Sequence, residues 1–76
     1  MSEKLYEIIS RIMNISVSEI TDESNQESIE SWDSFNVYVM LDEIESVFNT
    51  RFNIDEIIEI KKVGDIKKLL EKHGVL

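Results

Sequence analysis

The chain contains no cysteine and no proline, only two glycines and a single histidine among 76 residues. Without cysteine there is neither a disulfide framework nor a thiolate metal site, so packing must hold the fold. That suits a reducing compartment, with the cytoplasm as the default. Without proline, no helix interior need break. Gly64 and Gly74 stand alone, which rules out a glycine-rich phosphate cradle, and neither EF-hand spacing nor a His/Cys zinc pattern occurs. No basic segment followed by an apolar stretch opens the chain, and no apolar run approaches bilayer length. The expectation is a protein neither exported by that route nor spanning a membrane.

Cations are also scarce: 8 Lys and Arg face 16 Asp and Glu, for a formal net charge of −8. Such a balance argues against a broad surface for nucleic acid or anionic lipid, and makes basic proteins the natural complement. The charge is uneven. Residues 1–60 carry 14 acids against Lys4, Arg11 and Arg51, whereas residues 61–76 carry five lysines against Asp65 and Glu71. An acidic docking face with a basic C-terminal end is expected. Residues 1–76 make one domain, near the lower size at which an apolar core suffices without staples.

What is present is helical periodicity. Leu5, Ile8, Ile9, Ile12 and Met13 follow i, i+3, i+4, i+7, i+8 spacing, which predicts a first helix over about Ser2 to Met13, ended by Asn14. Ser16 and Glu19 have the form of a capping box, enough for a short turn that tucks Val17 and Ile20 inward. Residues 21–31 are polar, with Ile29 as the only aliphatic side chain and no period, and read as a long ordered loop. A second helix from about Asp33 to Phe48 places Val37, Met40, Leu41, Ile44, Val47 and Phe48 on a core side, with Phe35 and Val39 opposite. Asn49 suits a left-handed cap, and Asn53 to Glu56 again has capping-box form. A short third helix, about Ile54 to Ile60, would take its apolar surface from Ile54, Ile57, Ile58 and Ile60. Val63, Ile66, Leu69 and Leu70 mark a fourth that ends before Gly74. The predicted fold is all-α: a small four-helix bundle of three longer helices and a short third.

The chemistry offered by these residues is narrow. A catalytic serine needs a base and oxyanion donors. The sole candidate base, His73, falls beyond the last apolar residue of the fourth helix, where a frayed, solvated end is expected, and no Gly-x-Ser-x-Gly elbow occurs. The carboxylates of Asp42, Glu43 and Glu45 are spread around a helix and do not converge. Neither a catalytic group nor a metal site is therefore assigned. One arrangement remains: Trp32-Asp33-Ser34-Phe35 puts a serine where the longest amphipathic run begins, beside unpaired N–H groups and the positive end of the helix dipole, which favour a phosphodiester there.

Asp33-Ser34-Phe35 resembles the Asp-Ser-Leu that opens helix two in acyl carrier proteins. Ile44, Phe48 and Phe52 follow at matching spacing, and Val63-Gly64-Asp65 resembles the Val-Gly-Asp that opens helix four in that family. The resemblance covers almost the whole chain. It departs at Ser31, where the family usually has glycine, at Phe35 for leucine, at Lys62 where a capping Thr or Ser is common, and at Val39, where fatty-acid carriers tend to present an acid. It implies an acyl-carrier fold and a non-catalytic function: phosphopantetheine, taken from coenzyme A, attached to Ser34 and holding an acyl or aminoacyl group as a thioester. Asp33 would set the helix start and be read by the phosphopantetheinyl transferase. Phe35, Val39, Glu43 and Glu45 would form the partner face toward that enzyme, a loading ligase and a downstream synthase or transferase, with the carrier itself a monomer. Val39 on the outward face points to a specialised stand-alone carrier. The alternative is an acidic helical adaptor of the same fold that binds proteins without a prosthetic group.

Overall fold

A computed structural model describes residues 3–76. The first helix, α1 (Glu3–Met13), buries Leu5, Ile8, Ile9 and Met13, the stripe its periodicity marks. The proposed start at Ser2 lies outside the described residues. Asn14 leaves α1 with a positive φ of 59°, the left-handed conformation Asn tolerates better than most residues. A 3-10 turn (Val17–Glu19) follows, with the Ser16–Glu19 capping box in place. Ile20 packs into the core as expected, but Val17 is exposed. The turn is only three residues long, and the chain reverts to extended backbone at Ile20 before an apolar side chain turns inward.

The second helix, α2 (Ser34–Phe48), buries Met40, Leu41 and Ile44 and ends at Asn49, in the left-handed conformation at φ 55° and ψ 52°. Val37 and Phe48 are partly buried against the core, whereas Val47, expected inside, is exposed. It lies at the margin of the apolar stripe in the last turn, where the core no longer reaches it. The third helix, α3, is shorter than predicted, Ile54–Ile58, although the Asn53–Glu56 capping box forms. Its burial reverses the expectation: Glu56 is the buried residue, while Ile54 and Ile58 face solvent and Ile57 is half-buried. The fourth helix, α4 (Val63–Lys72), buries Val63, Gly64, Ile66 and Leu70.

There is no strand among the described residues, and one isolated antiparallel bridge joins Asn25 to Lys62. The core combines the buried stripes of α1, α2 and α4 with four side chains from between the helices: Ile20, Ile29, Trp32 and Phe52. Ile29, the lone aliphatic residue of the loop, anchors that loop. Further anchors are polar. The N–H groups of Val63 and Gly64, the first two of α4, donate to Ser24 O at 3.0 Å and Asp22 O at 2.8 Å. Loop carbonyls thus supply what the Lys62 side chain, which has no acceptor, does not. A Cβ on Gly64 would meet Asp22 O at 3.1 Å, so glycine is the residue that permits this approach.

Candidate functional site

Ser34 is the first residue of α2 and is exposed, and its hydroxyl makes no hydrogen bond to the described residues. The platform beneath it is built residue by residue. Asp33 is the N-cap, in extended backbone, and its Oδ1 accepts from Asn36 N at 2.8 Å. Asp33 O accepts from Val37 N at 2.9 Å. Of the first four N–H groups of α2, those of Asn36 and Val37 are therefore satisfied, and those of Ser34 and Phe35 remain open toward an anion bound at Ser34.

This helix start is tied to α1. Ser31 Oγ donates to Met13 O at 2.8 Å, taking up a carbonyl at the end of α1, and Asn36 Nδ2 donates to Ser31 O at 3.0 Å. The departure at Ser31 is thereby explained: its hydroxyl links the loop to α1. Trp32, immediately before the cap, is buried, and with Val37 it flanks Ser34 in the arrangement of a hydrophobic staple. Cap, staple and tether together fix the direction in which Ser34 faces.

Ser34 opens onto a shallow groove of about 230 Å³ between α2 and α3, lined by Gln26, Trp32, Asp33, Ser34, Val37, Tyr38, Ile57 and Ile58. Of its lining, Tyr38 and Ile58 are 61 and 63% exposed, and outside the lining Phe35 and Val39 of α2 and Ile54 of α3 are 75, 39 and 69% exposed. Phe35 and Val39 lie outward as expected. Tyr38 and the two isoleucines were missed by sequence reasoning, although Tyr38 shares their outward face at i+3 from Phe35. Larger concavities exist. One of about 470 Å³ at the other end of α2 contains Ser46 and Thr50, but neither hydroxyl stands at a helix start.

The two carboxylates assigned to the partner face are engaged within the fold. Glu43 Oε2 pairs with Arg11 at 2.8 Å, both side chains retaining contact with water. Glu45 Oε2 accepts from Phe52 N at 2.7 Å, closing the connection after α2. Asp42, immediately before Glu43, is exposed.

His73 contradicts its sequence reading outright. It is the C-cap of α4 and largely buried, with Nε2 2.9 Å from Glu56 Oε2, Nδ1 2.8 Å from Thr50 Oγ1, and its ring edge-on to Phe52 at 5.3 Å. Glu56 also accepts from Asn53 N at 3.0 Å and pairs with Lys72 at 3.3 Å. These partners, His73 first, hold its carboxyl down from an ordinary 4.5 to about 2. This cluster lies away from the Ser34 hydroxyl, which has no base within hydrogen-bond reach, and among the described residues no group of His, Cys, Asp or Glu is arranged to hold a metal.

An exposed hydroxyl at a capped helix start, with two open N–H groups and a groove beside it, suits covalent attachment of a phosphate-linked arm. Comparison with known families agrees. The family model of the phosphopantetheine attachment site matches residues 3–70. No curated protein matches the chain. Among the described residues no helix is long and apolar enough to cross a membrane. Matched over nearly its whole length, the chain belongs to the phosphopantetheine-attachment family and is a carrier protein whose prosthetic group is covalently bound phosphopantetheine.

Proposed function

We propose that Ser34 is the attachment residue and that the protein presents an acyl or aminoacyl thioester to partner enzymes. The observation that carries this reading is the Ser34 hydroxyl, exposed and without a hydrogen bond to the described residues, at the Asp33-capped start of α2. A phosphopantetheinyl transferase would direct Ser34 Oγ onto the pantetheine-side phosphorus of coenzyme A. The Oγ–P bond forms, the phosphoanhydride bond breaks, adenosine 3′,5′-bisphosphate leaves and the hydroxyl proton passes to a base of the transferase. Asp33 keeps α2 beginning at Ser34 and offers a carboxylate beside it for the transferase to read. The N–H groups of Ser34 and Phe35 favour the phosphodiester electrostatically.

When attached, the arm supplies the thiol that this cysteine-free chain lacks, and with it the thioester chemistry. The polypeptide positions and presents. Phe35, Tyr38, Val39 and Ile58 form the apolar centre of the partner face, with Glu43 and Glu45 at its margin. Glu43 keeps part of its surface in water beside Arg11, and Glu45 spends one oxygen on Phe52. The net charge of −8 would steer basic partners before apolar contact forms. A face with Val39 where an acid is common fits a specialised stand-alone carrier, working in the cytoplasm as a monomer.

Incubating the purified chain with coenzyme A and a promiscuous transferase tests the assignment. A single phosphopantetheine increment in intact mass is expected for the wild type and none for Ser34→Ala. An equal increment on the variant would overturn it, and the adaptor reading predicts no increment on either.

A further inference from the structure

α3 is the shortest α-helix among the described residues, yet it forms one wall of the groove at Ser34. Five residues are far below the roughly 12–15 at which a helix begins to hold itself in water. Its apolar residues do little to anchor it, because Ile54 and Ile58 face solvent and only Ile57 packs partly against the core. What fastens it is polar. Glu56 uses Oε1 to close the cap at Asn53 N and Oε2 to meet His73 at 2.9 Å and Lys72 at 3.3 Å. His73 reaches three parts of the chain at once: Glu56 on α3, the Thr50 hydroxyl and the Phe52 ring on the segment before it, and its own helix, α4.

We infer that His73 is a positioning residue for the Ser34 face: from the end of α4 it clamps Glu56 and Thr50 and so sets where α3 presents Ile57 and Ile58 to the groove beside Ser34. The hydrogen-bond inventory fits. An ionised Glu56 only accepts, so Nε2 carries its proton toward Glu56. Nδ1 accepts from the Thr50 hydroxyl when the ring is neutral and donates to it when charged, so the clamp survives either state. The charged groups around it are Glu56 from α3 and Lys72 from α4, with Glu45 of α2 one residue-link away through Phe52 N. His73 touches neither Ser34 nor the groove. Its effect on modification must therefore pass through α3.

The inference rests on Ser34 being the attachment residue only for its enzymatic readout, since the clamp itself is measured in the bare chain. His73→Ala is expected to shift the amide resonances of residues 54–58 and to raise the Glu56 carboxyl from about 2 toward its ordinary 4.5, followed by NMR titration. With a transferase, KM for the carrier should rise several-fold while kcat holds, because Asp33 and Ser34 keep their cap. His73→Gln retains a donor for Glu56 and should recover most of the α3 shifts and of KM. Lys67→Ala, which loosens the fold where α4 meets the 21–31 loop, is the control for mere destabilisation and should leave residues 54–58 and KM unmoved. Unchanged α3 amides and Glu56 titration in His73→Ala, or a rise in KM equalled by Lys67→Ala, would overturn the clamp. Absence of any modification on the wild type would remove the Ser34 assignment and leave the clamp to stand or fall on the NMR.

Discussion

Two sides of this small bundle are built on opposite terms. Where the 21–31 loop crosses α4, nearly every polar group is matched: Asp22 O and Ser24 O cap α4, Lys67 and the Tyr6 hydroxyl both meet Asp22 Oδ1, at 2.8 and 2.6 Å, and Lys62 pairs with Glu23 at 3.1 Å. At Ser34 the hydroxyl and two helix N–H groups have no partner among the described residues, and on α2 and α3 Phe35, Tyr38, Val39, Ile54 and Ile58 face water. Two of the five lysines of the expected basic C-terminal end, Lys62 and Lys67, are spent on this seam, while Lys72 pairs with Glu56 of α3. The difference teaches how 76 residues without a disulfide can leave one face unspent: the polar links are concentrated on the side away from the proposed partner face.

The comparison breaks if the two sides can be exchanged by mutation. The largest effect expected is functional: Ser34→Ala should abolish phosphopantetheinylation while thermal unfolding stays within about 0.5 kcal/mol of wild type, since an exposed side chain without partners is removed. Next, Gly64→Ala crowds Asp22, which Lys67, Tyr6 and Gly64 N hold in place. Chemical denaturation should show a loss of about 1–2 kcal/mol, and the modification rate of the folded protein should not change.

Smaller, and confined to the seam, is Asp22→Asn. It should cost about 1 kcal/mol, as for a hydrogen-bonded ion pair that remains in contact with water. The Tyr6 phenol, raised above its ordinary 10 chiefly by donating to Asp22, should return toward 10 in an absorbance titration. Acid acts on the same links. Asp22 is lowered by Lys67 first and then Tyr6, and Glu56 lies near 2, so both carboxylates contribute stability that is complete above their ordinary values and is lost as pH falls below them. For Glu56 that window runs from 4.5 down to about 2, followed by its own carboxyl resonance. Least in stability terms are Phe35→Ala and Tyr38→Ala, each within about 0.5 kcal/mol, with the effect appearing instead as a higher KM for partner enzymes.

Sequence carried the local half of this account. The α1 stripe and its end at Asn14, the capping boxes at Ser16 and Asn53, the left-handed Asn49, and the Asp33-Ser34 helix start each depend on residues within one or two turns, so local sequence reveals them. What was illegible depends on partners far along the chain. Glu56 looks like an ordinary capping glutamate until His73, 17 residues on, arrives against it, and His73 looks solvated until Thr50 and Phe52 close over it. Ile54 and Ile58 look like core because burial of a five-residue helix is decided by what packs on it, not by its own composition. Lys62 looks like a lost cap until the loop carbonyls are seen to replace it.

The most direct test of the central claim is the mass of the protein isolated from its own source, with the modified position located by fragmentation. The account predicts the bare chain plus phosphopantetheine, with or without cargo, carried on Ser34. A bare chain, or an arm found on another serine, would contradict it.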